Sequence, residues 1–439
     1  MILRALFLLF LLAPLLSQAA TLQRAGFANG TQLIVEEDHS APEAIIEVWL
    51  KAGGRDEVPG KTGLAHVLEH MMFKGSRKLG PEEFSKKIAA MGGNDNAFTS
   101  TDYTAYFETV PAARVDQVLG MEAERFGHLR LAAKDFAKEI KVIMEERRLR
   151  TDDNPNSHFF ELLSATALTL HPYRNPVIGW MQDLKHLNIQ DVRAFYRKHY
   201  VAANAIVVVV GDVDFNHIKR VVGRTFGKLP KRPAPARFNP VEPEPLGSKY
   251  LVVHLNAKLP VVGIAIPIPA WRPGHNDREA AALSVATALL SSGRSALMDQ
   301  VLVDKKRLAF SAGAGNDPFG MGLDVWYAEG DLGPKQTPVA FEKGFWKLIH
   351  RLATKPVSEK RLHAVKQRMI ASEVFARDSL YLRAKEIGRT EVTGIGAENR
   401  MHWLDQIRKV TAKDVQQAVA KWLRKSRATT GVLKPKVKS

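Results

Sequence analysis

Two histidines and a glutamate, His66, Glu69 and His70, lie within a mostly apolar stretch of the chain, residues 63–73. If this stretch is helical, His66 and His70 lie one turn apart on one face, and Glu69 lies beside them. Its apolar side chains would cover the other sides of the helix, so the helix is expected to be buried. Buried polar groups need partners, and two imidazoles beside a carboxylate suit a metal ion.

A purely structural interpretation of the same residues stays open at this point. Two histidines in a protein core can be satisfied by Glu69 and by backbone groups, without any metal. A catalytic zinc ion usually takes three protein ligands and leaves a fourth position for water. The choice between the two interpretations therefore depends on a third ligand elsewhere in the chain.

The best candidate for the third ligand is Glu146. Residues 135–150 have the apolar periodicity of a helix, in which Glu139 and Glu146 lie two turns apart and share a face. Glu145 cannot share that face. Glu146 would complete the ligand set of His66 and His70, Glu139 would support the ligands from behind, and Glu69 would be left free to act as a general base.

Several strands are predicted around the motif. Asn29-Gly30 is a typical hairpin turn, residues 44–50 and 205–210 are apolar enough for buried strands, and residues 101–110 follow a strand pattern. Thr62 is expected to cap the motif helix. The segment Asn96, Ala97, Phe98 and Thr99 has the composition of an edge strand, which could bind an extended peptide by strand addition. An ordinary sheet strand is the alternative.

A proline-rich stretch divides the chain. Residues 230–247 contain six prolines and are predicted to form a linker. Residues 21–229 and 248–433 repeat the same order of strands and helices, but only the first half carries the histidine motif. We expect an α+β fold with two homologous domains, each a mostly antiparallel sheet packed against helices, which together form a clamshell. Residues 434–439 are expected to be a basic, solvated tail.

Residues 1–20 are predicted to be a secretory signal peptide. Arg4 precedes a short apolar run, and small residues permit cleavage near Ala19 or Ala20. The run is too short to span a bilayer, and no later segment is apolar for long enough, so no transmembrane helix is expected. The mature chain should therefore be exported, to a periplasm or to the medium. It has no cysteine, which excludes disulfides and thiolate ligands.

The chain is strongly basic, with a formal net charge of +17. Such a charge favours anionic partners or surfaces, and affinity for polyanions would weaken with salt. Nucleic acid is not expected as a partner, because no stretch contains a known nucleic-acid-binding motif and the signal peptide directs the chain elsewhere.

Taken together, these motifs resemble the pitrilysin/insulysin metallopeptidases, whose H-x-x-E-H order inverts the commoner H-E-x-x-H. The resemblance rests on residues 63–75, on Glu146 seventy-six residues after His70, on residues 96–100 and on residues 207–214. It covers essentially the whole mature chain and is greatest for the mitochondrial-processing-peptidase branch and its bacterial relatives. It implies one zinc ion per chain on His66, His70 and Glu146, with Glu69 as base, Glu139 in support, and peptides or unfolded segments as substrates along residues 96–99.

One departure from the family pattern affects the expected activity. Active relatives carry an Arg and a Tyr, seven residues apart, that bind substrate, whereas Val303 and Phe310 occupy the matching positions here. The family therefore suggests a heterodimer in which a homologous partner supplies Arg and Tyr; a homodimer is less expected. In a shifted alignment, Arg294 or Arg307 would act together with Tyr327. The main alternative function is a non-catalytic, metal-binding or scaffold subunit of a homologous complex.

Overall fold

The computed structural model describes residues 22–436, except for residues 238 and 294. The predicted signal peptide, Arg294 and residues 437–439 lie outside the described residues. Within these limits the chain forms two sheets. The strands of the first are β1 (Gln23–Gly26), β2 (Gln32–Glu37), β3 (Glu43–Leu50), β4 (Asn94–Thr99), β5 (Thr104–Pro111) and β6 (Ala205–Gly211). Those of the second are β7 (Lys249–Leu255), β8 (Val261–Pro269), β9 (Ser311–Gly315), β10 (Leu323–Asp331) and β11 (Thr429–Pro435).

The two sheets have the same topology. The strand order is β1-β2-β6-β3-β5-β4 in the first sheet and β7-β11-β8-β10-β9 in the second. Without β1, each position in the first sheet has a counterpart in the second. The one parallel pair, β2 with β6, corresponds to the one parallel pair β7 with β11, and the remaining pairs are antiparallel. The predicted α+β class with two related, mostly antiparallel sheets is confirmed.

Helices follow the strands in both halves. The α-helices of the first half are α1 (Leu64–Met71), α2 (Glu83–Ala90), α3 (Val115–Gly127), α4 (Ala133–Arg147), α5 (Pro155–Ala167), α6 (Met181–His186), α7 (Ile189–His199) and α8 (Phe215–Arg224). Those of the second half are α9 (Asp277–Ser291), α10 (Pro338–Thr354), α11 (Glu359–Ala376), α12 (Leu380–Val392), α13 (Asn399–Lys409) and α14 (Ala412–Trp422). No helix in the described part of the chain has both the length and the apolar character of a membrane span.

The first hydrophobic core lies between one face of the first sheet and the helices α1, α3, α7 and α8. The central strand β6 has the sequence Ala-Ile-Val-Val-Val-Val-Gly and is buried at every position, as the uninterrupted run of β-branched residues predicts. The second core is equivalent and includes α9, α10, α13 and α14. The motif helix α1 is therefore held by a complete core beneath it.

The two halves exchange one helix each. Helix α12 of the second half packs on the outer face of β3 and β6, where Gly388 lies against Trp49 so closely that a Cβ would come within 1.9 Å of its ring nitrogen. Helix α5 of the first half packs on β7, β8 and β11 of the second sheet, with Phe159 fully buried there. Each sheet is thus covered on one face by a helix from the other half.

The proline-rich segment has no helix or strand among its described residues. It is nevertheless attached to the first half. The Arg237 guanidinium binds the Asp56 carboxylate at 2.8 Å, and Glu242 accepts hydrogen bonds from the backbone N–H groups of residues 169–171. At the other end of the second half, β11 continues to Pro435, so the strand extends two residues into the expected basic tail.

Glu47, buried on β3 beneath α12, should make the stability depend on pH. Burial raises its pKa to about 8, although the Trp49 ring N–H donates to its carboxyl at 2.6 Å. The folded protein therefore keeps this proton at pH values where the unfolded chain loses it, and stability falls as pH rises from about 4.5 to about 8. Glu47→Gln should leave the unfolding free energy nearly unchanged at pH 5 and increase it by about 3 kcal/mol at pH 8.

Urea unfolding of the metal-free protein at both pH values measures this difference. Glu43→Gln on the same strand is the matched control, because Glu43 is exposed. An equal gain at pH 5 and pH 8, or the same gain in the control, would contradict the assignment of the effect to Glu47.

Candidate metal centre

The motif helix α1 is capped by a residue that precedes it in the chain. Gly63 is the N-cap residue, with a φ of 90° in the left-handed region that favours glycine. The Glu57 carboxyl accepts the backbone N–H groups of Gly63 and Ala65, each at 2.8 Å. Thr62, the expected cap, instead donates its hydroxyl to Asp183 at 2.6 Å. The cap prediction is wrong because a tertiary contact replaces the local one.

The three predicted ligands come together. Glu146 Oε2 lies 3.8 Å from His66 Nε2 and 3.4 Å from His70 Nε2. One ligand atom from each of the three residues lies within 4.8 Å of the others, and their side chains are 12–23% exposed. The two histidines come from α1 and the glutamate from α4, which pack directly against each other. The predicted helix over residues 135–150 is present and ends as a π-helical turn, Arg148–Asp152.

The donor set fits a zinc ion. Ligand atoms about 2.0–2.1 Å from a tetrahedral ion lie about 3.3–3.4 Å apart. The His70–Glu146 separation of 3.4 Å matches this spacing, and the His66–Glu146 separation of 3.8 Å is slightly longer. Burial lowers the pKa of His66 to about 3, and the neighbouring His70 and Arg150 act in the same direction. Its imidazole is therefore neutral, the form that binds metals. Two imidazole nitrogens and a carboxylate oxygen that face one another are well satisfied by a cation between them.

A second set of side chains orients the ligands. His70 Nδ1 donates to Glu139 Oε2 at 3.3 Å, and the Lys74 ammonium lies 2.9 Å from Glu139 Oε1. Arg150 binds the other oxygen of Glu146 at 2.7 Å. Glu139 thus contacts His70, one of the predicted ligands. Neither Lys74 nor Arg150 is predicted from the sequence. Arg150 lies four residues after Glu146, the spacing of one helical turn, whereas Lys74 follows the end of α1 and reaches Glu139 by a tertiary contact.

Glu139→Gln should weaken zinc binding by about 10- to 100-fold, because hydrogen-bond partners of ligating histidines contribute about that much. Competition with a chromophoric chelator measures the affinity. Glu145→Gln, which removes one charge from the exposed side of the same helix, is the control. Unchanged zinc affinity in Glu139→Gln would show that His70 does not need this partner.

Glu69 lies beside the ligand set without joining it. Its Oε2 accepts a hydrogen bond from the Thr99 hydroxyl on β4. Burial raises the pKa of Glu69, and the Thr99 hydrogen bond partly opposes that shift. A carboxylate whose pKa is raised by burial, beside a candidate metal centre, has the properties of a general base.

The predicted peptide-binding segment is an edge strand. Residues 96–99 belong to β4, which among the described strands pairs only with β5 and ends the first sheet. The Phe98 side chain packs against Trp49, with ring centroids 5.4 Å apart, and beneath the Lys385 ammonium. The Thr99 side chain faces Glu69. Main-chain pairing along β4 is thus what this segment can offer a peptide, with Asn96 exposed and Ala97 packed against the core.

The positions matching the family's Arg and Tyr lie in the second half. Val303 is in a π-helical segment, Asp299–Lys305, and Phe310 is 55% exposed just before β9. Neither side chain can donate a hydrogen bond. Of the residues of the shifted alignment, Tyr327 forms a hydrogen bond with Ser164 at 3.0 Å, Arg307 has a left-handed φ of 52°, and Arg294 lies outside the described residues.

Sequence comparisons match both halves of the chain to family profiles. The family profile described as "Insulinase (Peptidase family M16)" matches residues 32–180, and the profile "Peptidase M16 inactive domain" matches residues 186–369. A protein named zinc protease PqqE, from Helicobacter pylori, is 30% identical over 416 residues, which are 93% of this chain and 91% of that protein. The chain belongs to peptidase family M16.

Solved structures show the same fold for this M16 chain. The crystal structure of a protease from Helicobacter pylori matches with a TM-score of 0.89 at 30% identity, over 95% of this chain and all of that one. The periplasmic protease PqqL from Escherichia coli matches with a TM-score of 0.79 at 15% identity, and this chain spans 48% of its length. The predicted family and two-domain fold are confirmed, and the M16 relatives are named as zinc proteases.

Proposed function

We propose that this chain is a zinc-dependent endopeptidase subunit that hydrolyses peptides or unfolded segments inside a clamshell chamber. The observation that carries the proposal is the convergence of His66, His70 and Glu146 beside Glu69, at the open edge of the first sheet. The interpretation of the motif as plain core histidines does not account for a third, negatively charged group that arrives from another helix.

Each of these residues has a distinct role. His66, His70 and Glu146 hold one zinc ion, with Glu139 supporting His70. When bound, zinc polarises the peptide carbonyl and makes water more acidic. Glu69 takes a proton from the attacking water and delivers it to the leaving amine. The exposed edge of β4, residues 96–99, pairs with the substrate backbone and holds it extended across the site.

The active site is incomplete in one respect, because Val303 and Phe310 cannot stabilise a developing oxyanion. Each such donor is worth about 3 to 4 kcal/mol, so the chain alone should be a weak peptidase. A homologous partner that carries Arg and Tyr at these positions would complete the site. The partner arrangement is therefore a heterodimer of one zinc-bearing and one zinc-free subunit.

Reconstitution tests this arrangement. The mature chain, residues 21–439, should cleave an unstructured fluorogenic peptide at least about 100-fold faster when the homologous partner is added. Substituting the partner's Arg and Tyr should abolish the gain. If the chain alone, freed of any copurifying homologue, already cleaves at the rate of the mixture, the heterodimer proposal fails while the zinc site stands.

Export and domain limits belong to the same proposal. Residues 1–20 would be removed near Ala19 or Ala20, and the mature protein would act in a periplasm, the compartment named for PqqL. Mass spectrometry of the native amino terminus and cell fractionation measure both. We place the zinc-binding domain at 21–229 and its homologue after the proline-rich linker, 230–247.

The alternative, a scaffold subunit that keeps its metal without turnover, has one point in its favour, since residues 186–369 match a profile named for an inactive domain. That match covers the half without the zinc motif. The intact base Glu69, held by Thr99, favours catalysis, because a scaffold has no use for it.

A further inference from the structure

The net positive charge of the protein is confined to the second half. Residues 21–229 contain 27 basic and 27 acidic side chains, whereas residues 230–439 contain 35 basic and 19 acidic ones. The zinc-bearing half is thus neutral by formula, and the whole excess lies in the half without the motif. A charge divided so unevenly points to an anionic ligand or partner on the second half.

Part of this charge surrounds a cavity far in sequence from the zinc ligands. The cavity has a volume of about 490 Å³ and lies where α10 ends and α11 begins, beside Leu297 and the first residues of the π-helical segment Asp299–Lys305. Its volume is within the range of small-molecule sites. Six apolar residues form its wall: Leu297, Val301, Leu348, Leu352, Pro356 and Val357.

The charged groups at the cavity have one sign. Arg351, Lys355 and Arg361 line it, and none of the described residues that line it is acidic. Arg351 and Lys355 are exposed, and no carboxylate of the described residues lies within ion-pair distance of them. Three cations around one apolar hollow repel one another, so an anion placed among them lowers the electrostatic energy.

Arg361 is the most constrained of the three. Its Nη2 donates to Gln300 Oε1 at 2.9 Å, which fixes the guanidinium at the cavity, while its Nη1 is buried without a hydrogen-bond partner among the described residues. A buried N–H group of a charged side chain is costly unless an acceptor meets it. The Ser358 hydroxyl, also at the cavity, makes no capping bond to α11 and remains able to donate.

We propose that this cavity binds an amphiphilic anion, a phosphate or carboxylate head group on an apolar chain. The head group would accept hydrogen bonds from Arg361, Arg351 and Lys355, and the chain would lie against the apolar wall. A simple anion would leave that wall in water, and a neutral apolar ligand would leave the buried Arg361 nitrogen without an acceptor. The site is separate from the zinc centre and does not depend on peptidase activity.

Titration calorimetry of the mature chain with octyl phosphate and with octanoate tests the proposal and separates the two head groups. At least one should bind with a dissociation constant below about 1 mM. Inorganic phosphate and octanol should each bind at least about tenfold more weakly, because each lacks one of the two parts of the ligand. Binding of inorganic phosphate as tight as that of octyl phosphate would overturn the proposal.

Matched variants locate the binding. Arg361→Gln, which removes the charge, should weaken binding at least about tenfold, and Val357→Trp, which fills the apolar part, should do the same. Lys343→Gln removes one charge from the exposed side of α10, away from the cavity, and should leave binding unchanged. Thermal melting checks that all three variants remain folded. Equal losses in Arg361→Gln and Lys343→Gln, or no binding of either amphiphile, would refute the site.

Discussion

Glu69→Gln is expected to lower the rate of peptide cleavage by the reconstituted pair by about 10²- to 10⁴-fold, the usual contribution of a general base. The amide keeps the size of the side chain and can still accept the Thr99 hydroxyl, so the local packing should survive. It cannot take a proton from water. Because Glu69 is not a ligand, the variant should still bind one zinc ion per chain.

Kinetics and metal analysis together separate the possible roles of Glu69. Steady-state kinetics should show the loss in kcat with a nearly unchanged KM, and metal analysis should show unchanged zinc. Activity that survives the substitution would remove Glu69 from the mechanism. Loss of zinc together with activity would instead make Glu69 a ligand, contrary to its bond to Thr99.

Glu146→Gln is expected to weaken zinc binding by more than about 100-fold, beyond the effect of losing a supporting hydrogen bond. The substitution replaces the only anionic ligand and leaves the two imidazoles, His66 and His70, to hold a divalent cation. It also leaves Arg150 without the carboxylate that it binds at 2.7 Å. Activity should fall with the zinc content and recover in part at high zinc concentration.

The neighbouring residue provides a matched control. Glu145 lies on the same helix, is 58% exposed and pairs with Arg148 on the surface. Glu145→Gln removes the same charge from the same turn of α4, so general electrostatic effects on the zinc affinity should be similar. If both variants lost zinc equally, the effect would come from the charge of the helix and not from ligation.

The shared helix faces of the candidate ligands could be predicted from the sequence because helical spacing determines them, whereas the packing of α1 against α4 that brings the two faces together could not. His66 and His70 share a face of α1, and Glu139 and Glu146 share a face of α4, wherever these helices lie. Contacts that depend on how strands and helices meet could not be predicted. Glu57 caps α1 across a loop, and Thr99 on strand β4 reaches Glu69 on α1, so neither contact follows from local periodicity.

The same distinction between local patterns and tertiary contacts applies to the fold. Strand β6 was predictable from its uninterrupted apolar run, β3 from the run 44–50 in which only Glu47 is polar, and the repeat of the two halves from the order of their elements. The exchange of α5 and α12 between the halves could not be predicted. The pattern of an amphipathic helix indicates that one face is buried, but it does not indicate which sheet that face packs against. Phe159 in α5 and Gly388 in α12 become informative only once their partners are known.

The exchange of α5 and α12 between the two halves also determines how the protein unfolds. A cut within residues 230–247 would separate two pieces that look complete in sequence, yet the first sheet would lose α12 and the second would lose α5. Each piece would then expose a wide apolar face on its sheet, including Trp49 in one and Val261 in the other. The halves therefore depend on each other for folding, and the chain should melt in one cooperative transition.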